Sequence, residues 1–290
     1  MAEVVISKAG PSDEEAIRRV CSACYRDDYI LRMIDAFLNT GTVLLASLGE
    51  EPVGFVKVGA TMDGSGWLSA LRVVPSRRRE GIGATLSRAC EEVAAEAGSR
   101  SIRLWTESKN VPAYSLFEAL SYRRVASFTR WWTNIAPDAP APPQRATHTK
   151  GSWDRIAESM IFRASKGYFP LALRFCRLSD ALLEELMESQ VLYLDSAGAP
   201  CVLNLEVWKA FDERTVELTV MGDDVRAQVQ AATGLGSAIG YGAVGMFLPF
   251  GEAWSERAKS AGLARGTWGT HAFLYEKRIA PGGRIADKSR

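Results

Sequence analysis

Several features that mark common protein classes are missing from this 290-residue sequence. No apolar run approaches the roughly 20 residues that a membrane-spanning helix needs, and the first residues carry no basic region followed by an apolar core. The charge is nearly balanced, with 35 basic and 34 acidic residues, so no overall field favours nucleic acid or an anionic membrane. We therefore expect a cytoplasmic protein with no nucleic-acid partner and no membrane partner.

Residues that bind metals or form disulfides are scarce or scattered. The only two histidines are His148, in a proline-rich stretch, and His271, in a predicted strand, which argues against a metal site and against a serine–histidine triad. The five cysteines are an odd number without a disulfide pattern. Cys21 and Cys24 form a C-x-x-C pair on the apolar face of a predicted helix, and we interpret them as buried thiols. The sequence predicts no metal cofactor.

The length and a hydrophobic content of 47% are sufficient for two domains. Residues 136–151 are rich in proline and poor in apolar side chains, as a semi-rigid linker would be. We therefore predict a first domain at 1–135 and a second at 152–290. In the first, apolar periodicity predicts strands at 4–7, 43–47, 53–60, 67–74, 102–106 and 125–132, with helices from 11, at 30–38, from 81 and at 112–120.

The second half repeats much of this order of elements. Its predicted strands lie at 191–195, 202–208, 215–221, 244–248 and 271–277, and its predicted helices lie at 153–165, 179–189, 225–239 and 252–261. The match is in pattern and not in residue identity, which indicates a diverged internal repeat. The sequence thus predicts a mixed α/β (α+β) protein.

The segment between Leu71 and Leu86 carries the most specific chemistry. A strand leads into a basic, glycine-containing turn that opens a helix, so free N–H groups and the positive end of the helix dipole converge where a phosphate fits. Gly81 and Gly83 would let a pyrophosphate approach the backbone, and the arginines at 77–79 add positive charge. The segment lacks the Gly-Lys-Ser/Thr of a Walker loop and the third glycine of a dinucleotide fingerprint. An ordinary helix-opening turn with solvated arginines is the alternative interpretation.

The strand before this turn adds a second feature. Pro75 cannot continue strand pairing, so the backbone of residues 71–73 is expected to be left exposed. An amide-containing ligand arm, such as pantetheine, would pair with that backbone as an added strand.

Two motifs in this half resemble the GCN5-related N-acetyltransferases over roughly residues 3–132. They read Val73-x-Pro75-x-x-Arg78-x-x-Gly81-Ile82-Gly83 and Asn110-x-x-Ala113-x-x-Leu116-Phe117-x-x-Leu120-x-Tyr122. The resemblance implies a GNAT fold, direct transfer of an acetyl group from acetyl-CoA to an amine, and a diverged second GNAT-like domain in tandem. The cofactor-binding residues that it implies are Leu71, Arg72, Val73, Arg78, Arg79, Glu80, Gly81, Ile82, Gly83, Ala84, Asn110 and Phe117.

The catalytic residues are less well marked. Phe117 stands where family members often have a tyrosine that protonates the leaving thiolate, so Tyr114 is our candidate acid, with packing against its neighbours as the alternative role. The strand at 67–74 has no carboxylate. Glu107 is therefore our candidate base, although a solvated loop carboxylate is equally consistent with its position.

Two further groups of residues bear on the acceptor and on the second half. Tyr25, Asp27, Asp28 and Tyr29 lie between the first two predicted helices, which line the acceptor site in this family, and they would suit a cationic substrate or simply form a polar loop. In the second half, Asp223 and Asp224 stand where the phosphate loop is expected. Carboxylates repel a pyrophosphate, so we predict that the second domain is degenerate.

The sequence therefore predicts an N-acetyltransferase that uses acetyl-CoA as a co-substrate. A non-catalytic acyl-CoA sensor or partner-binding protein is the alternative. The acceptor is an amine on a small molecule or a peptide, and the oligomeric state is open.

Overall fold

The computed structural model describes residues 3–207 and 214–280, and the chain divides into two compact units. The first unit comprises Met1–Leu104, Pro112–Arg123 and Tyr275–Arg290, and the second comprises Trp105–Val111 and Arg124–Leu274. The last described strand therefore belongs largely with the first unit. Residues 136–151, which we predicted to be a linker, lie inside the second unit. The predicted strand at 202–208 ends outside the described residues.

The first unit contains a mixed sheet. The strands that contribute to it are β1 (Val4–Ala9), β2 (Thr42–Leu48), β3 (Glu51–Ala60), β4 (Gly66–Val73), β5 (Ser101–Glu107) and β15 (Ala272–Arg278). They lie in the order β1-β2-β3-β4-β5-β15, antiparallel from β1 to β4 and parallel between β4 and β5. Its helices are α1 (Glu14–Cys24), α2 (Ile34–Asn39), α3 (Ile82–Glu96) and α4 (Val111–Ala119).

The helices of the first unit bury the apolar faces that their periodicity predicts. Ile17, Val20 and Cys21 of α1 are completely buried, as are Leu86 and Cys90 of α3. Both helices pack on β3 and β4. The i, i+3, i+4 spacing of these side chains is the reason that one face of each helix is covered by the sheet. The predicted helix at 30–38 is divided, because a 3-10 turn at Tyr29–Arg32 precedes α2.

The second unit also contains a mixed sheet. Its remaining strands are β6 (Arg123–Asn134), β7 (Gln144–Arg145), β8 (Tyr168–Leu171), β9 (Arg174–Arg177), β10 (Leu192–Leu194), β11 (Pro200–Asn204), β12 (Thr215–Val220), β13 (Ala243–Pro249) and β14 (Ala264–Arg265). They form a sheet in the order β6-β13-β12-β11-β10-β7, with β14 also beside β6, and a separate β8–β9 hairpin. Its helices are α5 (Ser152–Glu158), α6 (Met160–Ser165), α7 (Asp180–Glu188), α8 (Val225–Ala238) and α9 (Glu252–Ser260).

The proline-rich segment is integrated into this second unit by two contacts. Its strand β7 pairs with β10, and a Cβ added at Gly234 of α8 would lie 2.5 Å from the carbonyl oxygen of Ala141. The segment therefore packs directly on the backbone of α8, which requires glycine at that position. In the described residues no helix is both long and apolar enough to cross a membrane, and the longest, α3, has 15 residues.

Two local features differ from the sequence prediction. The helix predicted at 153–165 is divided at Ser159, whose hydroxyl caps α6 by accepting from the N–H of Phe162. The β8–β9 hairpin was not predicted at all. Its turn residues, Ala172 and Leu173, both have positive φ values, of 49° and 64°. Alanine and leucine rarely adopt positive φ values, so the sequence gave no sign of a turn at these two positions.

Candidate active site

Strand β4 has one edge that is only partly paired. Its register with β3 slips at a bulge around Ala70, which has a φ of 57°. Its pairing with β5 is limited to Gly66 with Ile102 and Trp67 with Arg103. From Leu68 onward, this edge of β4 has no partner strand among the described residues. The exposed backbone that we predicted at residues 71–73 lies on this free edge.

The carbonyl oxygen of Val73, on this edge, already accepts hydrogen bonds from two side chains. It accepts hydrogen bonds from Nε of Arg78 at 3.1 Å and from Sγ of Cys24 at 3.4 Å. Burial raises the pKa of the Cys24 thiol, and it therefore favours the neutral, donating form at neutral pH. The Arg78 side chain is exposed, so an incoming ligand amide can replace its bond at little cost.

The turn after β4 gathers backbone N–H groups. Pro75–Arg77 form a 3-10 turn, and Arg79 and Gly81 then adopt left-handed conformations, with φ values of 66° and 84°. Helix α3 begins at Ile82. Within residues 3–207 and 214–280, the structure gives no hydrogen-bond acceptor for the six N–H groups from Arg79 to Ala84. Alternating backbone handedness at a helix N-terminus makes an anion-binding concavity.

The two glycines of this turn have different roles. A Cβ at Gly81 would meet no atom within 4 Å, so the space beside its backbone is open, and its φ value favours glycine. A Cβ at Gly83 would lie 3.2 Å from Cδ2 of Leu116 on α4. Gly83 therefore permits close packing of α3 against α4. Our expectation that its missing side chain makes room for a pyrophosphate fits Gly81 better.

The charged side chains of the turn are largely exposed. Nη2 of Arg77 lies 3.4 Å from Oε2 of Glu51, and its Nη1 lies 4.0 Å from Oε2 of Glu80. Such exposed ion pairs contribute little to stability. Arg78 and Arg79 are also exposed, so their charges are available to a phosphate ligand. Glu80 can offer a phosphate its backbone N–H group but not its side chain, because the carboxylate would repel an anion.

Arg72 is committed to a different partner. Its Nε and Nη2 donate to the two carboxylate oxygens of Asp28 at 2.8 and 3.2 Å. Its guanidinium also lies over the rings of Tyr25 and Tyr29, at 4.8 and 5.6 Å from their centroids. The Asp28 side chain is fully buried and also accepts from the N–H of Ile30. The pair fixes the α1–α2 loop on β4, so Asp28 has no uncompensated charge for a cationic acceptor, and Arg72 offers a coenzyme its backbone only.

The residues around α4 clarify the question of a catalytic acid. Phe117 is 3% exposed and packs edge-on against Tyr122, with ring centroids 5.3 Å apart. Phe117 is thus a core residue. Burial, followed by the charge of Glu91, raises the pKa of Tyr122, so Tyr122 is a poorer acid than a free tyrosine. Tyr114 is only half-buried on the same helix and stays the candidate acid.

Glu107 and Asn110 lie in the second unit, at the turn before α4. One carboxylate oxygen of Glu107 accepts from the N–H of Gly269 at 2.9 Å, and the other lies 2.9 Å from Nζ of Lys109. Lys109 is 75% exposed, so its ion pair is weak and easily exchanged. The Gly269 N–H fixes the orientation of the carboxylate. Asn110 is exposed, and its N–H donates to the carbonyl oxygen of Glu107.

The corresponding turn of the second unit is closed by its own carboxylates. Asp224 caps α8 by accepting from the N–H of Ala227 at 3.1 Å. The two oxygens of Asp223 accept from the N–H groups of Met160 and Ile161, both at 3.0 Å, at the start of α6. One N–H group at the start of α8 is therefore already satisfied, and the carboxylates of this turn would repel a phosphate. Strands β12 and β13 also stay paired over four residue pairs, so β12 has less free edge than β4.

Comparison with known proteins agrees with this geometry. Residues 14–122 match the family model of the acetyltransferase (GNAT) family. Over 144 residues the chain is 28% identical to an uncharacterized N-acetyltransferase, YhfO, of Bacillus subtilis (strain 168), which corresponds to 45% of this chain and 97% of that relative.

Solved structures extend the likeness to the whole chain. A GCN5-related N-acetyltransferase from Sphaerobacter thermophilus has a TM-score of 0.59 at 16% identity, covering 96% of each chain. A tandem GNAT protein from the clavulanic acid biosynthesis pathway has a TM-score of 0.53 at 14% identity, covering 97% of this chain and 100% of the other. At these identities the likeness concerns the fold. The segment at 14–122 thus matches a GNAT acetyltransferase domain, and the fold of the whole chain is similar to that of a tandem GNAT protein.

Proposed function

We propose that the first unit binds acetyl-CoA and transfers its acetyl group directly to an amine. The observation that carries the proposal is the set of six N–H groups from Arg79 to Ala84 that stand beside the free edge of β4. A coenzyme A molecule has a pyrophosphate and an amide-containing arm joined to it. These two groups match the free N–H groups of the turn and the β4 edge that has no partner strand, in chemistry and in order along the chain.

The proposed division of labour follows from the site residues. The backbone of Arg78 to Ala84 binds the pyrophosphate, with Arg78 and Arg79 adding charge. Leu71 and Val73 offer backbone groups to the pantetheine arm, and Asn110 contacts the arm further along. When bound, acetyl-CoA supplies the thioester that carries the electrophilic acetyl carbon. The second unit, whose counterpart turn carries the carboxylates of Asp223 and Asp224, does not bind a coenzyme.

The acceptor amine must lose a proton before it attacks. An alkylammonium group has a pKa of about 10, so a base or a water chain is required at neutral pH. Glu107 is the proposed base, because a backbone N–H orients one of its oxygens while only an exposed lysine holds the other. The thiol of coenzyme A has a pKa of about 8.5, so its thiolate leaves fairly readily. Tyr114 is the proposed acid, and its loss should therefore have a modest effect.

A matched pair of variants at Arg79 tests the phosphate-binding turn. Arg79→Gly removes the charge but keeps the left-handed φ, whereas Arg79→Pro removes the N–H and forbids a φ of 66°. Arg78, with φ of −71° and ψ of 151°, already has the extended conformation that precedes proline. Isothermal titration with acetyl-CoA should show about tenfold or more weakening in Arg79→Pro, since one charge-assisted hydrogen bond contributes about 1.5–3 kcal/mol.

The glycine variant is the control in this experiment. We expect Arg79→Gly to weaken binding by less than about fivefold, as is usual for one exposed charge. Equal affinities in the two variants would mean that the backbone of the turn does not hold the coenzyme. Release of free coenzyme A thiol on addition of amines, assayed with wild-type protein, then identifies the acceptor and shows whether it is a small molecule or a peptide.

A further inference from the structure

The free edge of β4 begins at a sharply defined point. Strands β4 and β5 pair only through Gly66 with Ile102 and Trp67 with Arg103, and we call these four residues the closed end. A Cβ added at Gly66 would lie 2.7 Å from Cβ of Ala94 on α3, so the strands and the helix are in close contact here. A ligand arm that runs along β4 from the turn can therefore pair with the strand no further than this point.

A buried ionic cluster lies at the closed end. The Arg103 side chain is 4% exposed, and its Nη1 lies 2.6 Å from a carboxylate oxygen of Asp63. Its Nε donates to a carboxylate oxygen of Glu276 at 2.5 Å. We call these three residues the Arg103 cluster. Its two acids come from different elements, because Asp63 lies in the β3–β4 connection and Glu276 in β15. The cluster thus ties β5 to both neighbours.

Neutral hydrogen bonds reinforce the same junction. The hydroxyl groups of Ser65 and Ser101 are 3.0 Å apart, and the hydroxyl of Ser99 donates to the carbonyl oxygen of Gly64 at 3.0 Å. These bonds join the β3–β4 connection to the start of β5. Both ionic and neutral hydrogen bonds therefore hold the β3–β4 connection against the start of β5. Such reinforcement is expected where two strands must separate at one fixed residue pair.

We infer that Arg103 is a positioning residue for the coenzyme, because it fixes the point at which β4 separates from β5. This inference rests on the proposed function. The position of the separation decides which β4 backbone groups are available to the pantetheine arm. Phosphate binding at Arg79 to Ala84 depends instead on the turn and on the start of α3. Loss of the Arg103 cluster should therefore impair recognition of the arm and spare recognition of the pyrophosphate.

Two titrations separate these effects in each variant. Acetyl-CoA probes both surfaces, whereas adenosine diphosphate carries a pyrophosphate and has no pantetheine arm. In Arg103→Met, we expect acetyl-CoA affinity to fall about tenfold or more, because displacement by about 1 Å can remove much of a positioned interaction. Adenosine diphosphate affinity should stay within about twofold. The double variant Arg103→Met/Glu276→Gln serves the same purpose if the single variant folds poorly, because it removes one of the uncompensated charges.

Tyr275→Phe is the matched control. Tyr275 neighbours Glu276 in β15, and its hydroxyl donates to Glu118 at 2.7 Å, away from the Arg103 cluster. Its loss weakens the docking of β15 and should change neither affinity. Equal losses for both ligands in Arg103→Met, unchanged affinity for acetyl-CoA, or an equal effect in Tyr275→Phe would overturn the inference. If wild-type protein fails to bind acetyl-CoA, the proposed function itself is wrong, and the inference falls with it.

Discussion

The Asp28–Arg72 pair can be tested by removing one charge at a time. Asp28→Asn keeps an oxygen for the N–H of Ile30 but leaves Arg72 without a compensating charge. Removal of one partner of a buried ion pair typically costs about 3–5 kcal/mol. Because Arg72 is 14% exposed, we expect a loss of about 3 kcal/mol in the free energy of unfolding, near the lower limit of that range.

The double variant gives the more decisive comparison. Arg72→Met alone leaves Asp28 charged and buried, whereas Arg72→Met/Asp28→Asn leaves no unpaired charge. The double variant should therefore lose less stability than the sum of the two single losses, with a coupling free energy of about 2 kcal/mol or more. Urea unfolding followed by tryptophan fluorescence measures all three. Asp27→Asn, at the exposed neighbouring carboxylate, is the control and should change stability by less than about 0.5 kcal/mol.

Two results would show that Asp28 and Arg72 have other roles. Additive losses in the double variant would show that the two side chains do not interact. A tenfold or larger loss of acetyl-CoA affinity in folded Arg72→Met, about 1.4 kcal/mol or more, would mean that the Arg72 side chain itself contributes to coenzyme binding.

Three further predictions concern other residues. Glu107→Gln should lower kcat at pH 7 by about 10²–10⁴ and move activity to higher pH, with acetyl-CoA affinity unchanged, whereas an unaltered pH profile would limit Glu107 to anchoring the Gly269 N–H. Asp223→Ala should cost about 0.5–2 kcal/mol in urea unfolding, with no change in coenzyme affinity, since it removes a helix cap. Burial, above all, raises the pKa of Cys21 to about 12, so its thiolate fraction at pH 8 is about a thousandfold below that of an ordinary thiol. Mass spectrometry should find Cys21 unmodified by iodoacetamide in folded protein, and rapid labelling would contradict the structure.

Local sequence pattern was sufficient to predict most elements of the fold. The alternation of strands and helices, the turn after β4 and the start of α3 all follow from residues within a few positions of one another. The mixed α/β fold class and the tandem GNAT arrangement are confirmed by the comparisons. The individual site residues remain predictions.

Interactions between distant residues could not be predicted in this way. Arg72 and Asp28 are 44 positions apart, and Arg103 and Glu276 are 173 apart, so no periodicity connects them. The bulge at Ala70 also gave no signal, because alanine rarely adopts a φ of 57° and tertiary contacts must hold it there. For the same reason the grouping of β15 with the first unit was missed. Pairing between strands that are far apart in the sequence depends on how the whole core packs, and local patterns carry no information about it.

We expect one coenzyme site in the chain, and we place it in the first unit. Isothermal titration of the full chain with acetyl-CoA measures it most directly, through the number of sites per chain. We predict one site, weakened strongly in Arg79→Pro and little in Arg79→Gly. A second site of similar affinity would mean that the second unit also binds the coenzyme, and a single site that is indifferent to Arg79→Pro would mean that the turn after β4 does not hold it.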